Sequence, residues 1–300
     1  LSAIFPKKNR ELPLLSGLDF RIPKHKYMQN FQLTDFCHIK GIGSASGLIY
    51  YQDILFVISD NSTFLYQYVI DKDVVLKFPL VENPQENIAK KNKLDLEAMT
   101  SYGNQIFIFG SGSTSQRNTM FSLNLENDAL HKNDLSQLYQ HLKNLASLNE
   151  DELNIEGAIC VNKTMLLFQR GNGATGKNGI FIVPDNPEQP QGFVAVKLPE
   201  ISNVETTFTD AILVDNFIYF LASAEDTVST YEDGEVLGSI IGKMNAETFE
   251  VLETQIISNS HKFEGITLYQ NEEKEIKFLL CEDTDTEVLE SKIYKLTIKK

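Results

Sequence analysis

Apolar residues along this chain fall in short bursts of strand length, and five of these bursts open in the same way. They are residues 44–50 (Ser-Ala-Ser-Gly-Leu-Ile-Tyr), 94–100 (Leu-Asp-Leu-Glu-Ala-Met-Thr), 153–159 (Leu-Asn-Ile-Glu-Gly-Ala-Ile), 207–213 (Thr-Phe-Thr-Asp-Ala-Ile-Leu) and 262–268 (Lys-Phe-Glu-Gly-Ile-Thr-Leu). Each is followed by a pair of turn residues: Gln52-Asp53, Gly103-Asn104, Asn162-Lys163, Asp215-Asn216 and Gln270-Asn271. Such pairs suit tight hairpins. A second run of aromatic and branched residues comes next, at 54–58, 106–109, 165–168, 217–221 and 276–280, of the kind found in strands buried on both faces. A third strand is expected at 64–69, 120–125, 180–183, 240–244 and 293–298. Each unit reads as a small antiparallel meander.

With Ser46, Glu97, Glu156, Thr209 and Glu264 taken as equivalent positions, the repeat spacings are 51, 59, 53 and 55 residues, the size of a propeller blade. The sequence therefore predicts an all-β chain, a five-bladed β-propeller, with a six-bladed ring as the alternative. The longest interval holds residues 134–148, where apolar positions at helical spacing follow Asp134 as a cap, so one helix is inserted between two blades and is expected outside the ring. Only 36 residues follow Glu264, so the fifth blade needs a strand from elsewhere, and residues 31–39 are the natural donor. Residues 1–27, with Pro6, Pro13 and Pro23, read as an irregular arm, and 28–300 as one propeller domain.

Composition narrows the partners. The net charge of −14 repels phosphate backbones and anionic lipid surfaces, which excludes nucleic acid as an expected partner. The apolar runs are far shorter than the roughly 20 residues of a membrane helix, so no membrane span is expected. Three cysteines without a paired spacing (Cys37, Cys160, Cys281) read as small core residues. The chain is expected to be soluble and monomeric, cytoplasmic or periplasmic, since it begins at Leu1 and a leader could have been removed.

The chemistry lies in the repeat itself. First strands of propeller blades line the tunnel, so Ser46, Glu97, Glu156, Thr209 and Glu264 should form one ring, with Asp210 an alternative to Thr209. Three carboxylates facing one another across a narrow channel must take up protons or a cation. Ca²⁺, which accepts 6–8 oxygens in loose geometry, suits three carboxylates and two hydroxyls, whereas the absence of Cys and His at these positions disfavours Zn²⁺. The plainer alternative is that the glutamates pair with backbone amides and only hold the ring together.

Loops after the second strands return to the same face and are polar and dissimilar. They place Asp60, Ser111, Arg117, Arg170, Asn172 and Asp283 around the ring as candidate substrate-binding residues. Arg117 and Arg170 present forks suited to phosphate or carboxylate, with ion pairing to the acidic loops as the alternative. His261, three residues before Glu264, is a candidate general base. Residues 171–178 imitate a phosphate loop, but Asn178 stands where Ser or Thr is needed and a strand follows where a helix is required, so they read as a flexible loop over the funnel. Residues 283–287 open like an EF-hand loop but carry Val288 in place of glycine.

The ring order hydroxyl, Glu, Glu, hydroxyl, Glu resembles the five-bladed calcium-activated nucleotidases (apyrases), and the resemblance implies a central Ca²⁺. The chain is also similar to SdiA-regulated and phytase-associated esterase-like propellers. Ser-Ala-Ser-Gly, Lys-Leu-Asp-Leu-Glu-Ala-Met, Gly-Ser-Gly-Ser-Thr with Arg117, and Asn-Ile-Glu-Gly-Ala with Gln-Arg-Gly-Asn resemble an uncharacterised bacterial propeller family over about residues 30–300. The expectation is a calcium-binding propeller that binds, or as a metal-dependent hydrolase cleaves, a small anionic or ester substrate. The alternative is a non-catalytic scaffold with structural Ca²⁺.

Overall fold

The computed structural model describes residues 26–27, 30–184, 192–227, 234–284 and 288–300. Alternating runs fold into five antiparallel sheets, here blades I to V, ordered from the axis outward. Blade I comprises Ala45–Tyr51, Ile54–Ser59, Phe64–Val69 and Val74–Pro79, and blade II Leu96–Tyr102, Gln105–Gly110, Thr119–Asn124 and Leu130–Asp134. Blade III is Ile155–Val161, Thr164–Gln169, Gly179–Val183 and Gly192–Ala195. Blade IV is Thr207–Val214, Phe217–Asp226, Glu235–Asn245 and Val251–Ser258, with the parallel two-residue strand Lys26–Tyr27 on its rim. Blade V is Phe263–Asn271, Glu275–Glu282, Glu290–Lys299 and, as expected, the donated strand Phe31–Lys40.

Each innermost strand packs against the innermost strands of both neighbouring blades, which closes a ring of five. The core obeys the same count. Five apolar clusters fill the five seams: Phe56, Leu65, Leu96 and Ile108 between I and II; Phe109, Ile155, Leu167 and Phe181 between II and III; Phe168, Phe208 and Phe220 between III and IV; Ile266, Leu221 and Phe278 between IV and V; Leu48, Val57, Leu279 and Ile293 between V and I. A sheet hydrophobic on both faces can bury both only if every blade has two neighbours.

The inserted helix α1 (Ser136–Ala146), whose first amide is capped by Asp134 at 2.9 Å, packs beside Gly192–Ala195, the outermost strand of blade III. Leu138, Tyr139 and Leu142 enter the II–III seam cluster, and the Tyr139 hydroxyl donates to the Gly110 carbonyl at 2.7 Å. The fifth hairpin turn is not at Gln270-Asn271. A bulge between Leu268 and Gln270 lets the strand run on to Asn271, and the turn falls beyond it, where the Glu272 amide donates to the Glu275 carbonyl at 2.9 Å. Tyr269, at the bulge, packs edge-on against Phe36 and Tyr50.

Candidate functional site

All five innermost strands carry a β-bulge at the same place. The pairing with the second strand skips between Ala45 and Gly47, Leu96 and Ala98, Ile155 and Gly157, Phe208 and Asp210, and Phe263 and Gly265. The skipped residues are Ser46, Glu97, Glu156, Thr209 and Glu264, the five read as equivalent from their spacing. A bulge re-aims the side chain it releases from the ladder, so one local defect repeated five times builds the ring. The small residues after it serve close approach: a Cβ on Gly157 would meet the Asp210 backbone at 3.0 Å, and one on Gly265 the Gly47 Cα at 2.9 Å.

The two hydroxyls have structural work. Ser46 donates to the carbonyl of Leu96 in the next blade at 2.6 Å, and Thr209 to that of Phe263 at 2.7 Å. Each stitches its blade to the residue just before the neighbouring ring glutamate. Asp210 also points to the next blade, accepting from the amides of Ala211 at 2.7 Å and Ile266 at 2.8 Å. Burial nonetheless pushes its carboxyl well above the usual range.

Around the glutamates the chain supplies cations that the repeat alone did not disclose. Arg170, buried, donates to Glu156 at 3.2 Å and Glu225 at 2.6 Å and stands 3.7 Å from Glu264. Lys262, also buried, stands 3.0 Å from Glu264, 3.5 Å from Glu225 and 3.6 Å from Asp283. These contacts tie blades III, IV and V together. Burial disfavours the charge on both cations, but the carboxylates around each outweigh it and raise both pKa values. Asn154 adds a hydrogen bond to Glu156 at 2.7 Å and reaches Asn172 at 3.3 Å.

The opposite side of the mouth is different. Arg117 donates to Asp95 at 2.6 Å and to Ser113 at 2.7 Å, and Ser111 donates to Asp95 at 2.6 Å. Lys93 is ion-paired with Asp60. Asp60, Asp95 and Glu97 each bring a carboxylate oxygen within 4.8 Å of the others. Burial holds Glu97 well above the usual carboxylate range, and Asp95, Glu156, Glu264 and Asp60 add to the shift. Burial, with Asp283 adding to it, lifts Asp60 to about 7 against the pull of Lys93.

The predicted loop residues Asp60, Ser111, Arg117, Arg170, Asn172 and Asp283 thus gather with the ring at one mouth. Arg117 and Arg170 are engaged by carboxylates of this chain, which is the ion-pairing alternative. Within the ring, Glu156 and Glu264 already have cationic partners from this chain. His261 is elsewhere employed: its Nδ1 lies 2.7 Å from the Ser258 hydroxyl and its ring stacks on Phe263. Residues 171–177 are not a free flap, since Lys177 donates to the last carbonyls of α1, Ala146 and Ser147, at 2.7 Å. The EF-hand-like stretch 283–287 falls partly outside the described residues.

Lys93, Asp95, Asn154, Glu225 and Lys262 complete the mouth. Three of them were within reach of sequence reasoning. Asp95, Asn154 and Lys262 each precede a ring glutamate by two residues, a polar position that recurs in three blades.

Residues 41–298 match the model described as a family of unknown function, DUF6929. The match lends no support to the resemblance to calcium-activated nucleotidases or phytase-associated propellers. No curated protein matches the chain. Similar solved structures include a tail fiber of Staphylococcus aureus phage P68 (12% identity, TM-score 0.43), which covers 90% of this chain while the chain spans 53% of the fiber. The α-L-arabinofuranosidase PaAbf62A of Podospora anserina (9%, TM-score 0.49) covers 86% of this chain and 91% of its own. A PL25 ulvan lyase (9%, TM-score 0.42) covers 86% and 70% respectively.

Proposed function

We propose that this chain, which belongs to the DUF6929 family, is a cation-binding propeller that receives a small anionic or ester ligand at the tunnel mouth. One observation carries the reading. Seven carboxylates (Asp60, Asp95, Glu97, Glu156, Glu225, Glu264, Asp283) crowd four side-chain cations (Lys93, Arg117, Arg170, Lys262), leaving an excess of three negative charges, most of them buried. Like charges at this density require protons or a hard cation. Ca²⁺ is the expected ion, because every free donor is oxygen and the site is irregular. A bound cation would in turn offer an anionic or ester ligand a coordination point that the engaged arginines do not.

Calorimetry with Ca²⁺ and a hydrolysis screen on nucleotides, phosphate esters and carboxyl esters, each with and without metal, test the reading. Micromolar to millimolar Ca²⁺ affinity and a metal-dependent activity or ligand are expected; no binding of any divalent ion would overturn it. A second reading is favoured by the Ser46 and Thr209 stitches: the mouth is a lock between blades, and the cation only reinforces it. Ca²⁺-dependent melting with silence across the substrate panel would select this scaffold role.

A further inference from the structure

The structure assigns the cation to a seat off the ring centre, formed by Asp60, Asp95 and Glu97, with Lys93 as a resident competitor that a divalent ion must displace. This rests on the cation reading above and gives it a location and a control. The ring centre is the poorer seat because Glu156 and Glu264 already have Arg170 and Lys262 beside them, whereas among the described residues Glu97 has no cation at ion-pair distance. The three seat residues come from the junction of blades I and II and place their oxygens within 4.8 Å of one another.

Two further observations point to a missing partner there. Asp60 is only 8% exposed, and its Oδ1 is buried without a hydrogen-bond partner. Among the described residues, Glu97 makes no side-chain hydrogen bond or ion pair, although it lies beside four other carboxylates. A buried acceptor without a donor carries a desolvation penalty that a coordinated ion removes.

Lys93 holds the other oxygen of Asp60. It follows the short helical turn Lys90–Asn92, on a loop anchored at both sides of the seat: the Ile88 amide donates to the Asn61 carbonyl at 2.9 Å, and Arg117 reaches the Lys90 carbonyl at 3.3 Å. The charges facing Lys93 are Asp60, Asp95 and Glu97. A single ammonium cannot satisfy three carboxylates, whereas a divalent ion carries twice the charge in less space, so the two compete for Asp60. Arg117 stays in place, since its bonds to Asp95 and Ser113 leave the second Asp95 oxygen free to coordinate.

Calcium titration calorimetry on the full chain tests the seat, with folding of every variant checked by circular dichroism. Lys93→Met is expected to bind Ca²⁺ roughly tenfold more tightly than the wild type, since a competing charge is removed. Glu97→Gln and Asp60→Asn should weaken binding roughly tenfold or more, while Glu156→Gln leaves it within about twofold. If neither wild type nor Lys93→Met binds, the cation reading itself fails. If Ca²⁺ binds but Glu156→Gln weakens it and Glu97→Gln does not, the ion sits in the ring and the assigned seat is wrong. Equal affinity of Lys93→Met and wild type removes the competition.

Discussion

The Thr209 hydroxyl donates to the Phe263 carbonyl at 2.7 Å, joining the bulge of one blade to the residue before the bulge of the next. Both groups are buried, with Thr209 and Phe263 at 0% exposure. Thr209→Val keeps the shape but leaves that carbonyl without its donor, which costs about 1–3 kcal/mol. Urea unfolding should report the loss, with an unchanged slope. A variant as stable as wild type would mean that the stitch is incidental.

Arg170 is the hub of the III–IV–V side. Arg170→Met removes the cation between Glu156, Glu225 and Glu264 and strands buried carboxylates, for which about 3–5 kcal/mol of destabilisation is expected. Because the loss comes from unpaired charge, adding Glu225→Gln to Arg170→Met should restore part of it. A double variant no better than the single would count against the ion-pair account.

The pH dependence has a definite sign. Burial raises Asp60 to about 7, and Glu97 and Glu264 well above their usual range, so the folded state holds protons that the unfolded state has released. A group of this kind weakens the fold above its folded pKa and stops doing so as pH falls toward its unfolded value, near 4 for carboxylates. The melting temperature in chelator should therefore rise between pH 8 and pH 5.5. Added Ca²⁺ should stabilise most at the alkaline end, where it does not compete with protons. A melting temperature that falls on acidification would contradict these shifts.

Gly265→Ala tests the close packing behind the ring. The added methyl would lie 2.6 Å from the Cys281 Sγ and the Leu48 side chain and 2.9 Å from the Gly47 Cα, a crowding that costs about 1–3 kcal/mol. Gly41→Ala, with nothing within 4 Å of the new methyl but a φ of +96°, should cost about 1 kcal/mol through backbone strain alone. If the two variants unfold at the same denaturant concentration, steric contact at the V–I seam is not the dominant effect.

How much of this was readable beforehand follows from what repeats. Ser46, Glu97, Glu156, Thr209 and Glu264 stood out because identical blade geometry forces equivalent residues into register, and the bulge that aims them recurs in every blade. Gln270-Asn271 misled because a second bulge, local to blade V, shifts the turn. The cations were harder. Arg170 was visible as a loop residue, but its carboxylate partner Glu225 lies on another blade, 55 residues away. Lys93 reaches Asp60 from the loop that connects blades I and II, 33 residues away in sequence. Periodicity reveals what the blades share, and the charge balance of the mouth depends on what they do not.

Blade V is finished by Phe31–Lys40 lying against Glu290–Lys299, so that residues such as Thr34 and Lys295, 261 apart in sequence, become neighbours. Loop closure over such a length adds little to the equilibrium cost, since that cost grows only with the logarithm of length, but it makes the contact slow to form. On a ribosome the first four blades must wait, with an unpaired flank at each end, until residue 299 has emerged. Shortening the 31–40 segment would make that exposed interval permanent, leaving an apolar edge open to pairing with other chains.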